Sequence, residues 1–185
     1  HNTMNKSLVD VFEKNDNVRK EYNIRKLYLD AFPAQTSAGG QRYPEVNQAI
    51  SNDMGNSLYL FYFGHGGING WAQERVMTID QIQNFNNYNN IYSRFPLVST
   101  ITCEFTLWDD PGTFSAGEQV IKSKTGGAST MITSSRAIGV GYGEDFTTIF
   151  TRNIFALAND DFTNLGDALL KAKVEKGPQS DHLKV

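Results

Sequence analysis

Short apolar and β-branched runs alternate with amphipathic stretches along this chain. Two runs, residues 58–63 (Leu-Tyr-Leu-Phe-Tyr-Phe) and 97–102 (Leu-Val-Ser-Thr-Ile-Thr), have the length and composition of buried strands. Residues 25–30 and 127–133 predict two further strands. Because helical patterns separate the four runs, the order of elements predicts an α/β fold with a mostly parallel sheet and helices on both faces.

The predicted helices are marked by apolar residues at helical spacing and by residues that favour helix ends. They cover residues 6–14 and 44–54, a short segment beginning at 78, a segment after 115, and segments near 145–158 and 165–175. Pro44 and Thr78 are typical of helix starts, and residues 115–118 (Ser-Ala-Gly-Glu) match a capping box. Glycine-rich or asparagine-rich composition predicts loops at 35–41 and 84–90.

Composition narrows the possible functions. The chain has 185 residues, 39% of them hydrophobic, which suits one domain with a substantial core. Its net charge of −3 gives no electrostatic case for nucleic acid as a partner. The single cysteine excludes an internal disulfide framework and a cysteine-cluster zinc site. No apolar run approaches the roughly 20 residues that span a bilayer.

Each of the two clearest strands is followed by one reactive residue. His65 follows the first strand and Cys103, the only cysteine, follows the second. In an open parallel sheet, chemistry collects beyond the carboxyl ends of the strands. If the two strands are neighbours, about 5 Å apart, an imidazole and a thiol meet at one edge. This pair is the minimum for a cysteine nucleophile with a histidine general base.

Both residues also have a simpler interpretation. A free cysteine often packs as a small hydrophobe, and a histidine at a strand end can serve only as a hydrogen-bonding loop residue. The glycines around His65 favour the catalytic interpretation, because Gly64, Gly66 and Gly67 let a ligand approach the backbone closely. The backbone N–H groups of Gly66 and Cys103 are then the predicted oxyanion hole.

The motifs around these residues resemble those of the gingipain family of cysteine peptidases. The resemblance rests on residues 63–75 (Phe-Gly-His-Gly-Gly-Ile-Asn-Gly-Trp-Ala-Gln-Glu-Arg), 102–105 (Thr-Cys-Glu-Phe), 109–111 (Asp-Asp-Pro) and 126–136, together with the capping box. It covers about residues 22–173 and implies a caspase-like three-layer α/β/α fold. In this family the dyad histidine precedes the cysteine on adjacent strands. Here Cys103 follows His65 by 38 positions (103 − 65), which agrees with that order.

Within the family, the same motifs resemble those of the sortase of the Bacteroidetes type IX secretion system. That likeness implies removal of carboxyl-terminal sorting domains from secreted cargo at the cell surface or outer membrane, with other secretion components as possible partners. Two alternatives remain open: a secreted protease of the gingipain type, and a catalytically silent caspase-like scaffold. The resemblance also implies that residues 1–185 are most of one catalytic domain, without an N-terminal strand, its acidic histidine-orienting residue and the flanking domains.

Four residues near the dyad are candidates for substrate binding: Gly67, Trp71, Glu74 and Glu104. For Trp71 the alternative is packing beneath the loop. For Glu74, with its neighbour Arg75, the alternatives are orientation of the histidine loop and a local ion pair on a solvated face. Glu104 either contacts substrate or stabilises its own loop.

No cofactor is expected for the chemical step, since one cysteine and three scattered histidines provide no catalytic zinc shell. The resemblance allows structural calcium, for which Asp109 and Asp110 are the candidate ligands. Two adjacent acids are a weak signal without further oxygen ligands. The expected substrates are polypeptides.

Overall fold

The computed structural model describes residues 10, 13–14, 22–88, 93–155, 157–158 and 161–177. The chain divides into two compact units. The smaller unit comprises residues 1–26 and 139–182, and the larger comprises residues 27–138 and 183–185. Among the described residues, no helix is both long enough and apolar enough to cross a bilayer.

The larger unit contains eight short strands and three α-helices within its described residues. The strands are β1 (Gln35–Ser37), β2 (Gly40–Arg42), β3 (Tyr59–Phe63), β4 (Gly66–Gly67), β5 (Gly70–Trp71), β6 (Met77–Thr78), β7 (Leu97–Ile101) and β8 (Thr130–Thr133). The helices are α1 (Pro44–Met54), α2 (Ile79–Gln83) and α3 (Ala116–Lys122). A 3-10 helix, Leu29–Ala31, precedes them.

The main sheet has the order β3-β7-β8, and both of its strand pairs are parallel. Tyr59 lies beside Leu97 at one end of the β3–β7 pair, and Phe63 lies beside Ile101 at the other. The predicted adjacency of these two strands is confirmed. The mixed α/β class with a parallel sheet is confirmed as well, and it is consistent with a caspase-like or gingipain-like fold.

A second sheet, with the order β4-β5-β6, is antiparallel and begins immediately after β3. The sequence pattern does not predict this sheet, because its strands are two residues long and rich in glycine. Gly70 is required here: its φ is +140°, and an added Cβ would lie 2.0 Å from the carbonyl oxygen of Met77. The backbone pairing of this sheet therefore holds the glycine-rich segment after β3 in one conformation.

Side chains from both sheets and all three helices form the core of the larger unit. The most deeply buried of them include Val46, Met54, Trp71, Met77, Ile82, Val98, Phe105, Ala116 and Val120. Helices α1, α2 and α3 begin where the sequence predicts. Pro44 is the first residue of α1, the Thr78 side chain accepts a hydrogen bond from the Gln81 N–H, and Ser115 with Glu118 forms the capping box.

Three predictions in the larger unit need correction. Residues 25–30 form no strand: Leu27 and Leu29 pack against the core from a largely irregular segment that pairs with no strand among the described residues. The leucines of this segment therefore serve packing and not strand pairing. Residues 35–41 contain a hairpin, since β1 and β2 pair across a turn that Gly40 closes at a φ of +104°. Strand β8 begins at Thr130, three residues later than predicted.

The smaller unit contains α4 (Val140–Ile154), β9 (Leu157–Ala158), β10 (Asp161–Phe162) and α5 (Leu165–Lys176). Phe146 and Phe150 of α4 are fully buried, and so are Ala168 and Ala172 of α5. The helix predicted at 145–158 is displaced, because it starts at Val140 and gives way to a β9–β10 hairpin. The prediction of a helix at 6–14 falls largely outside the described residues; of that range Asp10, Glu13 and Lys14 are described, and they are helical.

Candidate active site

The register of the main sheet brings His65 and Cys103 to the same edge. Phe63 and Ile101 are paired last residues of parallel neighbours β3 and β7. His65 follows Phe63 by two positions and Cys103 follows Ile101 by two positions. Neighbouring strands are about 4.8 Å apart, so the two reactive residues emerge side by side at the carboxyl edge of the sheet. The His65 side chain is exposed and Cys103 is half-buried.

The two segments that follow these strands touch each other directly. An added Cβ on Gly66 would lie 2.5 Å from Oγ1 and 2.8 Å from Cγ2 of Thr102. No real side chain tolerates such distances, so Gly66, the residue after His65, must be glycine to pack on Thr102, the residue before Cys103. Gly67 is different, because nothing lies within 4 Å of the Cβ it would carry.

The backbone of His65 is held by two hydrogen bonds to its carbonyl oxygen. The Tyr62 hydroxyl donates to it at 2.6 Å and the Ala72 N–H donates to it at 2.8 Å. Because the Ala72 bond flanks the Gly66–Trp71 pair, that pair is a non-hydrogen-bonded pair of the β4–β5 ladder. The Gly66 N–H therefore points away from β5, as an oxyanion donor requires.

Tyr62 is itself fixed in place. Its ring is stacked on Trp71 with centroids 4.2 Å apart and planes 4° apart, and Trp71 in turn contacts Phe105 at 5.6 Å. Burial raises the pKa of Tyr62 well above its ordinary value, and the negative charge of Glu74 raises it further. The phenol is thus protonated, and it remains a hydrogen-bond donor throughout the physiological pH range.

The segment after Cys103 turns sharply. Glu104 has a φ of +52°, a left-handed conformation that is uncommon for a residue with a side chain. Its N–H donates to the carbonyl oxygen of Arg136 at 3.4 Å, and the Cys103 thiol lies 4.0 Å from the carbonyl oxygen of Ile138. Arg136 and Ile138 belong to the segment after β8, so a third loop joins the same edge of the sheet.

Backbone strain is concentrated in two segments: the histidine loop, residues 64–78 after β3, and the cysteine loop, residues 102–115 between β7 and α3. Among the described residues, the non-glycine residues with positive φ are Ala72, Arg75 and Glu104. The first two lie in the turn that follows β5 and the third lies beside Cys103. Such strain persists only where the surroundings hold it, and it clusters at functional sites.

A network around Ser115 fixes the far end of the cysteine loop. Glu118 Oε2 accepts hydrogen bonds from the Ser115 N–H at 2.9 Å and hydroxyl at 2.7 Å, while the Leu107 N–H donates to the Ser115 hydroxyl at 3.2 Å. Burial alone would raise the pKa of Glu118, but the two bonds from Ser115 and the charge of Lys122 lower it overall. The Ala116 N–H donates to the Ile68 carbonyl at 2.7 Å, which ties this network to the histidine loop.

The remaining predicted site residues have different surroundings. Trp71 is only 1% exposed, which favours the packing interpretation over direct contact with substrate. Glu74 is half-buried and Glu104 is exposed. Asp109 pairs with Arg136 at 2.6 Å.

The other candidate calcium ligand, Asp110, accepts hydrogen bonds from the Gly112 N–H at 2.9 Å and the Thr113 hydroxyl at 2.7 Å. These bonds lower the pKa of the Asp110 carboxyl. Within the described residues, no group of three or more His, Cys, Asp or Glu side chains is arranged to hold a metal ion.

Three residues at this edge were not predicted from the sequence: Tyr62, Thr102 and Arg136. Tyr62 and Thr102 belong to the apolar runs, where their hydroxyl groups carry no pattern that distinguishes them from packing residues. Arg136 meets the cysteine loop only because β8 lies beside β7. The position of Thr102 next to Cys103 could have indicated its role. The glycines after the neighbouring strand must pack closely against some residue, and the residue before Cys103 is a candidate.

The class of protein to which this chain belongs follows from its similarity to known proteins. The family model of peptidase family C25 matches residues 2–184, and the chain belongs to this family of gingipain-type cysteine peptidases. The family-level resemblance drawn from the motifs is therefore confirmed. A search of curated proteins found no significant match.

One solved structure, described as "Structure of Protease", is similar to part of this chain. The identity is 20% and the TM-score is 0.45, and the match covers 52% of this chain and 20% of that chain. The chain therefore matches about a fifth of the length of that protein.

Proposed function

We propose that this chain carries the catalytic machinery of a cysteine endopeptidase, with Cys103 as nucleophile and His65 as general base and acid. The observation that carries the proposal is the β3–β7 register, which brings both residues to one sheet edge in a chain of family C25. The contact between Gly66 and Thr102 supports it, because it joins the two loops immediately beside the reactive residues.

The proposed reaction is acyl transfer. The Cys103 sulfur, its proton having passed to His65, attacks the scissile carbonyl carbon and forms the tetrahedral oxyanion. The N–H groups of Gly66 and Cys103 stabilise this charge. His65 then returns the proton to the leaving amine, which departs and leaves a thioester on Cys103. In the second half, His65 removes a proton from the acceptor, which attacks the thioester and restores the thiol.

The acceptor decides the biological role. With water the product is a free carboxylate, and the enzyme is a protease. With an amine of a lipopolysaccharide the product is a new amide, and the enzyme is a sortase.

We favour the sortase role, which corresponds to that of PorU in the type IX secretion system. In this role the substrates carry carboxyl-terminal sorting domains, the site of action is the outer membrane surface of a Bacteroidetes cell, and other secretion components are partners. Support for this finer assignment comes from the motif resemblance alone.

The chemical step as proposed uses no metal ion. Every proton transfer falls to His65, and every charge that develops is met by a backbone N–H group or by the imidazolium. A structural calcium ion remains compatible with the proposal, although the oxygens of Asp109 and Asp110 already have protein partners. Activity that a chelator abolishes and zinc restores, but calcium does not, would contradict a metal-free chemical step.

The decisive variants are Cys103→Ala and His65→Ala in a protein that contains the complete catalytic chain. Both should lose nearly all turnover of a secreted substrate that bears its sorting domain, since nucleophile and base act as a unit and their losses do not add. Circular dichroism checks that each variant is folded. Wild-type turnover in either variant would exclude the dyad.

Product analysis separates the proposed role from its alternatives. Mass spectrometry of the cleaved cargo, with and without an added primary amine, distinguishes an amide product from a carboxylate. An amide product supports the sortase, and a carboxylate alone supports the secreted protease. A silent scaffold would produce neither, and Cys103 would react with a thiol-directed peptide probe no faster than in the unfolded chain.

A further inference from the structure

We infer that Tyr62 is a positioning residue for His65: its hydroxyl fixes the backbone from which the catalytic imidazole projects. This inference rests on the proposed function. The hydroxyl donates to the His65 carbonyl oxygen at 2.6 Å, across three positions of the chain at the point where β3 ends. A strand end is otherwise free to bend, so this bond, with the one from the Ala72 N–H, sets the direction in which residue 65 leaves the sheet.

The hydroxyl is held by more than this one bond. The Tyr62 ring is stacked flat on Trp71, at 4.2 Å and 4°, and Trp71 is fully buried. Trp71 also belongs to β5, whose next residue, Ala72, donates the second hydrogen bond to the His65 carbonyl. Both hydrogen bonds to the His65 carbonyl therefore come from residues that are linked to each other, because Tyr62 stacks on Trp71 and Trp71 precedes Ala72.

Gly64 completes the arrangement. An added Cβ at this position would lie 2.7 Å from the Tyr62 hydroxyl oxygen and 3.0 Å from the adjacent ring carbon. The glycine is therefore what allows the phenol to reach over its own chain to the His65 carbonyl. The requirement is one of space, because the φ of Gly64 is not in the left-handed region.

The role proposed for Tyr62 affects catalysis and not only stability. Its hydrogen bond holds His65, whose imidazole must reach the Cys103 sulfur and the leaving amine. Catalysis is sensitive to such placement, and a misplacement of about 1 Å can cost about a hundredfold in rate. Tyr62→Phe removes one oxygen and keeps the stacked ring, so it tests the hydrogen bond by itself. We expect kcat to fall about tenfold with KM within about twofold of the wild-type value.

A second measurement does not depend on the identity of the substrate. Cys103 is the only cysteine, so the rate of alkylation by iodoacetamide at neutral pH, followed by intact mass, reports on this thiol alone. A correctly placed His65 should accelerate this reaction relative to the unfolded chain. We expect Tyr62→Phe to lose most of the acceleration, while Tyr43→Phe, a buried tyrosine whose hydroxyl contacts Gln41, retains it.

Gly64→Ala provides an independent variant, because it keeps the phenol but pushes it away from the His65 carbonyl. It should reproduce the Tyr62→Phe loss in kcat and in alkylation rate, and the double variant should be no worse than Gly64→Ala. The matched control is Gly141→Ala, an exposed position on α4 where nothing lies within 4 Å of the added Cβ. Thermal melting of every variant separates misplacement from unfolding.

The outcomes distinguish the two levels of the inference. If His65→Ala lowers the alkylation rate and both Tyr62→Phe and Gly64→Ala leave it and kcat at wild-type values, the role of Tyr62 is excluded while the dyad stands. If His65→Ala itself leaves the rate unchanged, the dyad is excluded, and the role of Tyr62 with it. The expected result is a loss in all three variants, with the two controls unchanged.

Discussion

The two loops at the carboxyl edge of the main sheet differ in the interactions that contribute most to holding them. The histidine loop is held mainly at its backbone atoms, by the β4–β6 sheet, by glycines that fit closely against their neighbours and by the hydrogen bond from Tyr62 to the His65 carbonyl. The cysteine loop is held through side chains, by the Ser115–Glu118 capping box and the Asp109–Arg136 ion pair. The first should therefore be sensitive to added volume, and the second to loss of charge and to pH.

The largest effect in this comparison is expected from Gly66→Ala. The added methyl group would meet Thr102 at 2.5 Å, so the histidine loop must move away from Cys103. We expect kcat to fall by about a hundredfold or more and the melting temperature to fall as well. Gly67→Ala, with open space around its Cβ, should keep the wild-type melting temperature.

A double variant sharpens this prediction. Adding Thr102→Ala to Gly66→Ala removes both atoms that the new methyl group would meet most closely, and leaves the Gly70 carbonyl at 3.2 Å. Thr102 Oγ1 is buried and finds no hydrogen-bond partner among the described residues, so its removal sacrifices no bond seen there. The double variant should regain part of the activity lost in Gly66→Ala. Equal activity in the single and double variants would show that the Thr102 contact is not the cause.

An intermediate effect is expected from Glu118→Ala. The substitution leaves the buried Ser115 N–H and hydroxyl without their carboxylate, and such losses cost about 2 kcal/mol of the free energy of unfolding. Glu118→Gln should cost less, and Glu45→Ala, on an exposed first turn, should cost little. Chemical denaturation at pH 7 measures all three. A loss in Glu118→Ala no larger than in Glu45→Ala would contradict the side-chain support of the cysteine loop.

The same carboxyl predicts a pH dependence with a definite sign. The pKa of Glu118 is lower in the folded chain than the ordinary pKa of a glutamate carboxyl, which applies in the unfolded chain. Its contribution to stability is therefore complete above the unfolded pKa and is lost as pH falls through the folded pKa. The stability difference between the wild type and Glu118→Gln should shrink on acidification below about pH 4. A difference that stays constant across this range would contradict the assignment.

The smallest effect is expected from Asp109→Asn. The Asp109–Arg136 pair is well exposed, with 47% and 38% of the two side chains accessible. Exposed pairs contribute between 0 and about 1 kcal/mol, and salt screens them. The stability difference from wild type should therefore be small at low salt and smaller still at high salt. A loss as large as that of Glu118→Ala would contradict this ranking, since the ion pair would then support the cysteine loop as strongly as the capping box does.

The same contrast explains how much the sequence could predict. The strands that end before His65 and Cys103 are local apolar patterns, and the capping box is a local motif, so both could be read directly. The contact of Gly66 with Thr102 and the bond from Tyr62 to His65 depend on which strands become neighbours and on how a side chain folds back. No periodicity encodes either of them.

The wrong predictions have physical causes of the same kind. Residues 25–30 contain the short apolar run Leu-Tyr-Leu, and its two leucines, Leu27 and Leu29, are partly buried against the core. No strand lies beside them among the described residues, and a strand requires a partner as well as a pattern. Strands β4 and β5 consist mainly of glycine, which has low strand propensity, and they form because the antiparallel pairing at Gly66 and Gly67 fits the tertiary surroundings. Tertiary pairing outweighed local preference in both regions.

The most direct test of the central claim is to trap the covalent intermediate. Rapid quenching of the complete enzyme during turnover of a sorting-domain substrate, followed by intact mass and peptide mapping, should show an acyl group on Cys103 that hydroxylamine removes. His65→Ala should accumulate far less of it within the same time. Steady turnover without an acyl group on Cys103, or an acyl group on another residue, would contradict the account.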